Sequence, residues 1–428
     1  MKFKQSDAQN QRLERITTSH LVVGIDMAKE THVAQATNFR GIVVSKRHLS
    51  FSNSMDGFEK LNRWMTELQQ KHRLKKLIIG MEPTGHYWFN LANWLADKEL
   101  HVVMVNPATT KRNKENRDNS PSKNDPKDAL IIADSVSRGF YYEYTRQSLV
   151  FQRLRTIMSD REFWVSNSVR LQNRIIRWLD IRFPEYPSVF KDWTCKRSLA
   201  TLKTFPCPQD LETYAVPDVI SAWRTHMQRA GGSTGMEKAA QLIAHAKRSV
   251  GDRTAVEESK ADLIRLLEEF ERVTTMLEQI EKDIESLLSE IPVAQQLRTI
   301  KGLGKIFTAA ILAGTGDLRQ YAHGRQVLRK AGLNLAESTS GKRKGRIVLS
   351  KRGDSALRKY LYLATVQLVW NNPVFRHLHE HNVQEKKMKK QQSIFKLIGK
   401  LARILVGIVQ RGETFIPEKT VLAWAEAA

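Results

Sequence analysis

Short apolar runs punctuated by polar turns dominate the first third of the chain. Leu21-Val-Val-Gly-Ile-Asp26 is a continuous apolar run of the length of a buried strand. Residues 31–37 and 41–44 read as two more strands, joined by turn-forming Asn38 and Gly41. Phe58, Leu61, Trp64, Met65 and Leu68 then recur at helical spacing, with Ser54 or Asp56 available as a cap. Residues 77–82 form another buried strand, which Pro83-Thr-Gly-His86 ends. A helix through Leu91, Trp94 and Leu95, a strand over 101–105, a basic polar loop over 107–124 and a helix from Asp125 to Ser137 follow. The order β-β-β-α-β-α-β-α is that of an α/β ribonuclease-H-like domain.

Beyond residue 147 the pattern turns helical, with Leu154, Ile157, Met158, Val165, Leu171, Ile175 and Leu179 on one face. Residues 184–255 read as an irregular insert, cut up by prolines and by Gly231-Gly-Ser-Thr-Gly235. From Leu266 through Phe270, Val273, Leu277, Ile280, Ile284 and Leu287 to Ile291, apolar spacings of four and three alternate. Such a heptad seam predicts a coiled coil, within one chain or between two, with a lean toward self-association. After Pro292, Ile300-Lys-Gly302-Leu-Gly304-Lys305 resembles the turn of a helix-hairpin-helix, where backbone amides approach a phosphate. A tight turn between packed helices fits the same residues. The expected division is a flexible arm over 1–20, an α/β domain over 21–145, a helical and coiled-coil region over 146–295 containing the 184–255 insert, and a mostly α domain over 296–428.

Charge narrows the class of partner. Lys and Arg number 69 against 45 Asp and Glu, a formal net charge of +24, which favours a polyanion and nucleic acid above all. Clusters of cations fall at Lys111, Arg112 and Lys114, at Lys301 and Lys305, and over 342–359, where eight of eighteen residues are basic and one is acidic. That last segment holds Lys342, Arg343, Lys344, Arg346, Lys351, Arg352 and Arg358, interleaved with small residues that let the backbone come close to phosphate. Lys386-Lys-Met-Lys-Lys390 adds a further phosphate-contact candidate. Cys195 and Cys207 fit no zinc spacing and no disulfide framework. With no long apolar run and a polar N-terminus, the chain reads as cytoplasmic, without a membrane partner.

Four acids stand where a metal site needs them. Asp26 and Glu82 close two strands, and Asp125 and Asp128 share one face at a helix start, with Pro126 as first helical residue after an Asp125 cap. Carboxylates so placed suit one or two Mg²⁺ ions working on a phosphodiester. Each acid also has a plainer role as a cap, a helix-dipole partner or a polar strand end.

Gly24-Ile-Asp26-Met-Ala-Lys29, Glu82-Pro-Thr-Gly85-His-Tyr-Trp88, Val105-Asn106-Pro107 and Lys123-Asn-Asp125-Pro-Lys-Asp128 resemble the DEDD transposases of bacterial insertion sequences, the IS-one-ten family. Asn124 and Pro126 stand where that family often has Thr and Arg, and neither change removes a carboxylate. Gly332-Leu333, Ser340-Gly341, Lys351-Arg-Gly-Asp354 and Leu357-Arg358 resemble its second domain, whose start is similar to the 300–304 turn. The resemblance implies a RuvC-like catalytic domain with Asp26, Glu82, Asp125 and Asp128 as Mg²⁺ ligands, and Ser340 as nucleophile, with Ser338 its rival by register. It implies strand cutting and rejoining on donor and target DNA, guided by a structured bridge RNA, in a homodimer or tetramer. A metal-dependent junction endonuclease without a serine intermediate, or an inactive nucleic-acid-binding relative, are the alternatives.

Overall fold

The computed structural model describes residues 7–113, 124–336 and 347–418. Two compact units divide between Arg146 and Gln147.

The first unit is built on a six-stranded mixed sheet in the order β3-β2-β1-β4-β5-β6. Its strands are β1 (His20–Asp26), β2 (Thr31–Thr37), β3 (Leu49–Ser52), β4 (Lys76–Met81), β5 (Val102–Met104) and β6 (Tyr142–Glu143). β1, β2 and β3 form an antiparallel meander, β4 and β5 add in parallel beyond β1, and β6 returns antiparallel. This arrangement is consistent with a ribonuclease-H-like fold. Both faces of β1 are buried, which is why it reads as an unbroken apolar run rather than an alternation. The helices are α1 (Asp7–Arg15), α2 (Met55–His72), α3 (Trp88–Asp97), α4 (Pro107–Asn113) and α5 (Asp125–Ser137).

Several local expectations change. The third strand is Leu49–Ser52, not 41–44. Gly41 turns with φ +77, Ile42 and Val43 are exposed, and Val43 makes a single bridge to Thr37, whereas Phe51 anchors β3 in the core. Residues 7–15 of the expected flexible arm form α1, held where the Tyr141 hydroxyl donates to the Arg12 carbonyl and where Ile16 is buried against the sheet. The start of the basic 107–124 segment is the helix α4, with Pro107 in its first turn and the Asn106 side chain accepting from Ala108 N at 2.8 Å. Ser54 rather than Asp56 caps α2. Asn124, not Asp125, caps α5 by accepting from Lys127 N, which leaves Asp125 itself in the first turn.

The second unit is helical. Two 34-residue helices, α6 (Leu149–Arg182) and α11 (Val256–Ser289), run antiparallel. Arg153 meets Glu290, Arg161 meets Glu281 and Arg174 meets Asp262 along their length. The heptad seam thus closes within the chain. Val273, Ile280, Ile284 and Leu287 are buried, and Ile280 and Ile284 share a core with Leu154 and Met158 of α6.

Residues 184–255, expected to be irregular, form a helical subdomain with its own core. It holds α7 (Tyr186–Val189), α8 (Lys196–Thr204), α9 (Val216–Arg224) and α10 (Ser233–Lys247). Pro187 and Pro217 sit in first helical turns, where a missing N–H costs nothing, so they start helices instead of breaking them. Trp223 is fully buried and its indole donates to Thr201 Oγ1 at 2.8 Å. Cys195 and Cys207 are both free thiols.

The remaining helices are α12 (Pro292–Arg298), α13 (Lys305–Thr315), α14 (Gly324–Lys330), α15 (Ser355–Asn371), α16 (Pro373–Gln384) and α17 (Lys390–Arg411), around a core shared with the ends of α6 and α11. A two-stranded hairpin pairs β7 (Leu335–Ala336) with β8 (Val348–Leu349). No described helix is long and apolar enough to cross a membrane.

Candidate active site

A pair of glycines decides where the acids stand. Gly24 on β1 and Gly80 on β4 are direct neighbours in the parallel register. A Cβ on Gly24 would lie 2.1 Å from the Ala129 carbonyl oxygen and 2.4 Å from Ala133 N. A Cβ on Gly80 would lie 2.5 Å from Val136 Cγ2. The two glycines form a saddle on which α5 rests directly against the strand backbones. That seat carries Asp125 and Asp128, in the first turn of α5, toward the ends of β1 and β4. Asp26 ends β1, and Glu82 follows Met81, the register partner of Ile25.

Asp26 senses the charges of the other three acids. The Asp26 carboxyl is pushed up to about 6, first by burial and then by the negative charges of Asp128, Asp125 and Glu82. A backbone N–H from Met27 opposes the shift in part. One carboxylate therefore feels all three of the others, which side chains scattered over a surface do not do.

Glu82 is held by two hydroxyls. Thr84 Oγ1 donates to Oε1 at 2.6 Å, and Thr110 Oγ1, from α4, donates to Oε2. Thr110 is buried and also lies 3.0 Å from the Pro107 carbonyl, to which its one proton can turn instead. Among the described residues no three acidic, histidine or cysteine side chains form a ready cage for an ion. The donor set nonetheless fits a hard divalent cation, since all four side chains offer oxygen.

The cationic candidates divide. Lys111 and Arg112 are exposed at the end of α4, while Lys114 lies outside the described residues. In the second unit Gly302 takes φ +96 in the turn between α12 and α13, Lys301 is exposed, and Gly304 precedes α13 with open space where a Cβ would be. Lys305 stands 3.9 Å from Glu281. Lys351 and Arg352 are exposed. Arg358 is engaged in the fold itself, its guanidinium donating to the carbonyls of Ala331 at 2.9 Å and Lys351 at 3.3 Å. Ser338, Ser340, Lys342, Arg343, Lys344 and Arg346 lie outside the described residues. The flanks of that segment are β7 and β8, and Asp354 beyond it caps α15 by accepting from Leu357 N at 2.9 Å.

Gly24, Gly80, Thr84 and Thr110 were not singled out in the sequence. The glycines carried a signal, because glycine inside an apolar strand marks a close approach. The threonines carried none, since their role depends on where α4 and the 83–87 turn bring them.

Two family models match the chain. One for DEDD transposases of the IS110 type, described as "Transposase", covers residues 23–184, and one described as "Transposase IS116/IS110/IS902 family" covers residues 294–380. The chain belongs to the IS110 family of insertion-sequence transposases. It is similar to "Transposase for insertion sequence element IS1328" of Yersinia enterocolitica, with 30% identity over 99 residues, or 23% of this chain and 30% of that protein. "Probable family 20 transposase" of Pseudomonas aeruginosa is 31% identical over 101 residues, again 23% of this chain and 30% of the relative. These two matches therefore span less than a third of each relative. "Insertion element IS116 uncharacterized 44.8 kDa protein" of Streptomyces clavuligerus aligns over 344 residues at 23% identity, covering 80% of this chain and 83% of its own length. All four acids fall inside the first matched region, and the 299–304 turn and Ser340 inside the second.

Proposed function

We propose that the chain is a DNA transposase that cuts and rejoins strands with Asp26, Glu82, Asp125 and Asp128 as a Mg²⁺-binding cluster and Ser340 as nucleophile. The observation that carries this reading is the placement of Asp26 and Glu82 at the ends of two neighbouring parallel strands, with Asp125 and Asp128 at the start of the helix seated on them and the Asp26 carboxyl raised by burial and by the charges of the other three. A bound divalent cation, or a pair of them, would supply positive charge where a phosphodiester oxygen gathers negative charge. The first unit is then a RuvC-like ribonuclease-H domain.

Within this reading Thr84 and Thr110 orient Glu82, and the half-buried position of Asp26 makes it the group most dependent on charge compensation. Ser340 Oγ attacks phosphorus. Its new P–O bond forms as the bond to the departing DNA oxygen breaks, the serine proton leaves to a nearby base, and the departing oxygen takes up a proton. A free hydroxyl of the second strand then attacks the phosphoserine, joins the strands and returns the serine. The phosphodiester count is unchanged, so no outside energy source is needed. The formal charge of +24 supports donor and target DNA, and a structured guide RNA, as partners.

A covalent-adduct assay tests the proposal. Full-length protein, element-derived RNA and end-labelled DNA are combined with Mg²⁺ and run on a denaturing gel beside Ser340→Ala and Asp26→Asn. A protein-linked DNA band, absent from both variants, is the expected result. Cut DNA without linked protein, surviving Ser340→Ala, would leave a hydrolytic nuclease instead.

A further inference from the structure

The lysine-rich segment 386–390 is not used by the reading above, and it borders a cleft. Helices α15, α16 and α17 enclose a cavity of about 580 Å³. Its walls are apolar, from Val366, Val369, Val383 and Ile394, and two aromatic rings face it, Tyr362 and Trp370. Trp370 is 70% exposed, a large apolar surface left to water on a well-packed helix. Arg376, which donates to the Trp370 carbonyl, stands at the rim with His379, Glu380 and Lys390. Lys386, Lys387, Lys389 and Lys390 are all exposed in the connection from α16 to α17.

Charge at this rim is unbalanced. His379 is held below its usual range by burial and then by the Lys390 charge, and Lys396 is lowered by burial and then by Lys386. Glu380 is the one acid among the lining residues. The end of α15 that carries Trp370 is also joined to the 299–304 turn, because Asn372 Nδ2 donates to the Lys301 carbonyl at 2.9 Å. Aromatic surface, an apolar slot and a fringe of cations therefore meet where α15, α16 and α17 come together. A flat π-face with a phosphodiester on either side complements all three features, since bases stack on indole rings while lysines follow the backbone.

We propose that this cleft receives an unpaired base of a DNA strand, stacked on Trp370, with its neighbouring phosphates on the 386–390 lysines. The inference rests on the reading that the chain acts on DNA. It adds a place where a strand opened during cutting is held, and gives the 386–390 lysines, marked in the sequence only as a phosphate contact, an aromatic partner in Trp370.

The test uses the full-length protein and fluorescence anisotropy with labelled oligodeoxythymidine, a blunt DNA duplex and a matched ribonucleotide strand. Base stacking of this kind is worth about 1–3 kcal/mol, so Trp370→Ala is expected to weaken single-stranded DNA binding by about 5- to 150-fold. Duplex binding should stay within about twofold, and Trp370→Phe should restore most of the loss. Iododeoxyuridine in the oligonucleotide should crosslink to the peptide that carries Trp370. Unchanged single-strand affinity in Trp370→Ala, an equal loss for duplex, a crosslink confined to other peptides, or a preference for the ribonucleotide strand would each overturn the assignment. The two readings fail differently: wild-type protein that binds no DNA removes both, whereas wild-type binding that ignores Trp370 removes the cleft alone. Trp370 makes few interior contacts, and circular dichroism of the variant checks that the helices persist.

Discussion

The two units place their chemistry on different kinds of support. In the first, each acid stands at a strand end or a helix start, and Gly24 and Gly80 press α5 directly onto the strands that carry Asp26 and Glu82. In the second, the described candidates lie in or beside short turns: Lys301, Gly302 and Gly304 precede α13, Lys305 opens it, Lys351 and Arg352 follow β8, and Lys386, Lys387 and Lys389 precede α17. Strand ends in a sheet buried on both faces fix carboxylates within narrow limits, which an ion with strict geometry demands. Connections between helices can adapt to a long, flexible polyanion. The contrast teaches that one chain can place one set of candidates on a sheet buried on both faces and another beside turns between helices.

The sharpest way to break that comparison is to neutralise the centre of the cluster. Asp26→Asn is expected to lower strand cutting by at least about 100-fold and to weaken Mn²⁺ binding, read by electron paramagnetic resonance, in step. Cutting that survives would show that the first unit only scaffolds.

Trp223→Ala should come next, costing about 3–5 kcal/mol in the 184–255 subdomain by cavity formation and loss of the Thr201 contact. Because that core is separate from the sheet core, metal binding should persist in the variant. A denaturant melt beside the Mn²⁺ titration checks both halves. Gly24→Ala is expected to destabilise by about 1–3 kcal/mol, because the new methyl meets α5 backbone rather than a movable side chain. Unlike the Trp223 variant, it should also weaken Mn²⁺ binding, since α5 must shift with Asp125 and Asp128. Stability without that loss would refute the saddle.

Titration provides a gentler probe. The folded pKa of Asp26, about 6, lies above the unfolded carboxylate value, so the folded state is penalised as pH rises from about 4 to about 6 and carries the full penalty above that. Asp26→Asn should therefore raise the melting temperature at pH 8 and bring little gain at pH 4. Millimolar Mg²⁺ should stabilise wild type and not the variant. A melting difference that does not depend on pH would rule out repulsion as its cause. The smallest effect belongs to the second unit: Asp354→Ala removes the cap of α15 and should cost about 1 kcal/mol without altering metal binding.

How legible each part was follows from the range of the forces involved. β1, β4 and α5 were readable because burial on both faces and an Asn-Asp-Pro helix start are local patterns. The third strand was misplaced because 41–44 and 49–52 both look strand-like, and only the register against β2, with Phe51 buried, separates them. In the 184–255 stretch prolines looked like breaks, yet Pro187 and Pro217 open helices of a subdomain whose core depends on contacts such as Trp223 to Thr201, distant in sequence. The heptad seam was visible, while its partner was not: period says that a face is apolar and is silent on what covers it. Here α6 covers it.

By itself the sequence determined strands β1, β2, β4 and β5, the helices α2, α3 and α5 and the two long helices, the excess of positive charge and the four acids at element ends, because periodicity, capping and charge are properties of short stretches. Only the tertiary structure decided that Gly24 and Gly80 lie side by side under α5, that Thr84 and Thr110 both hold Glu82, and that Trp370 lines a cleft with Arg376 and Lys390. Those facts depend on which distant residues meet. That is set by strand register and helix packing, where one step of register exchanges every buried side chain for an exposed one.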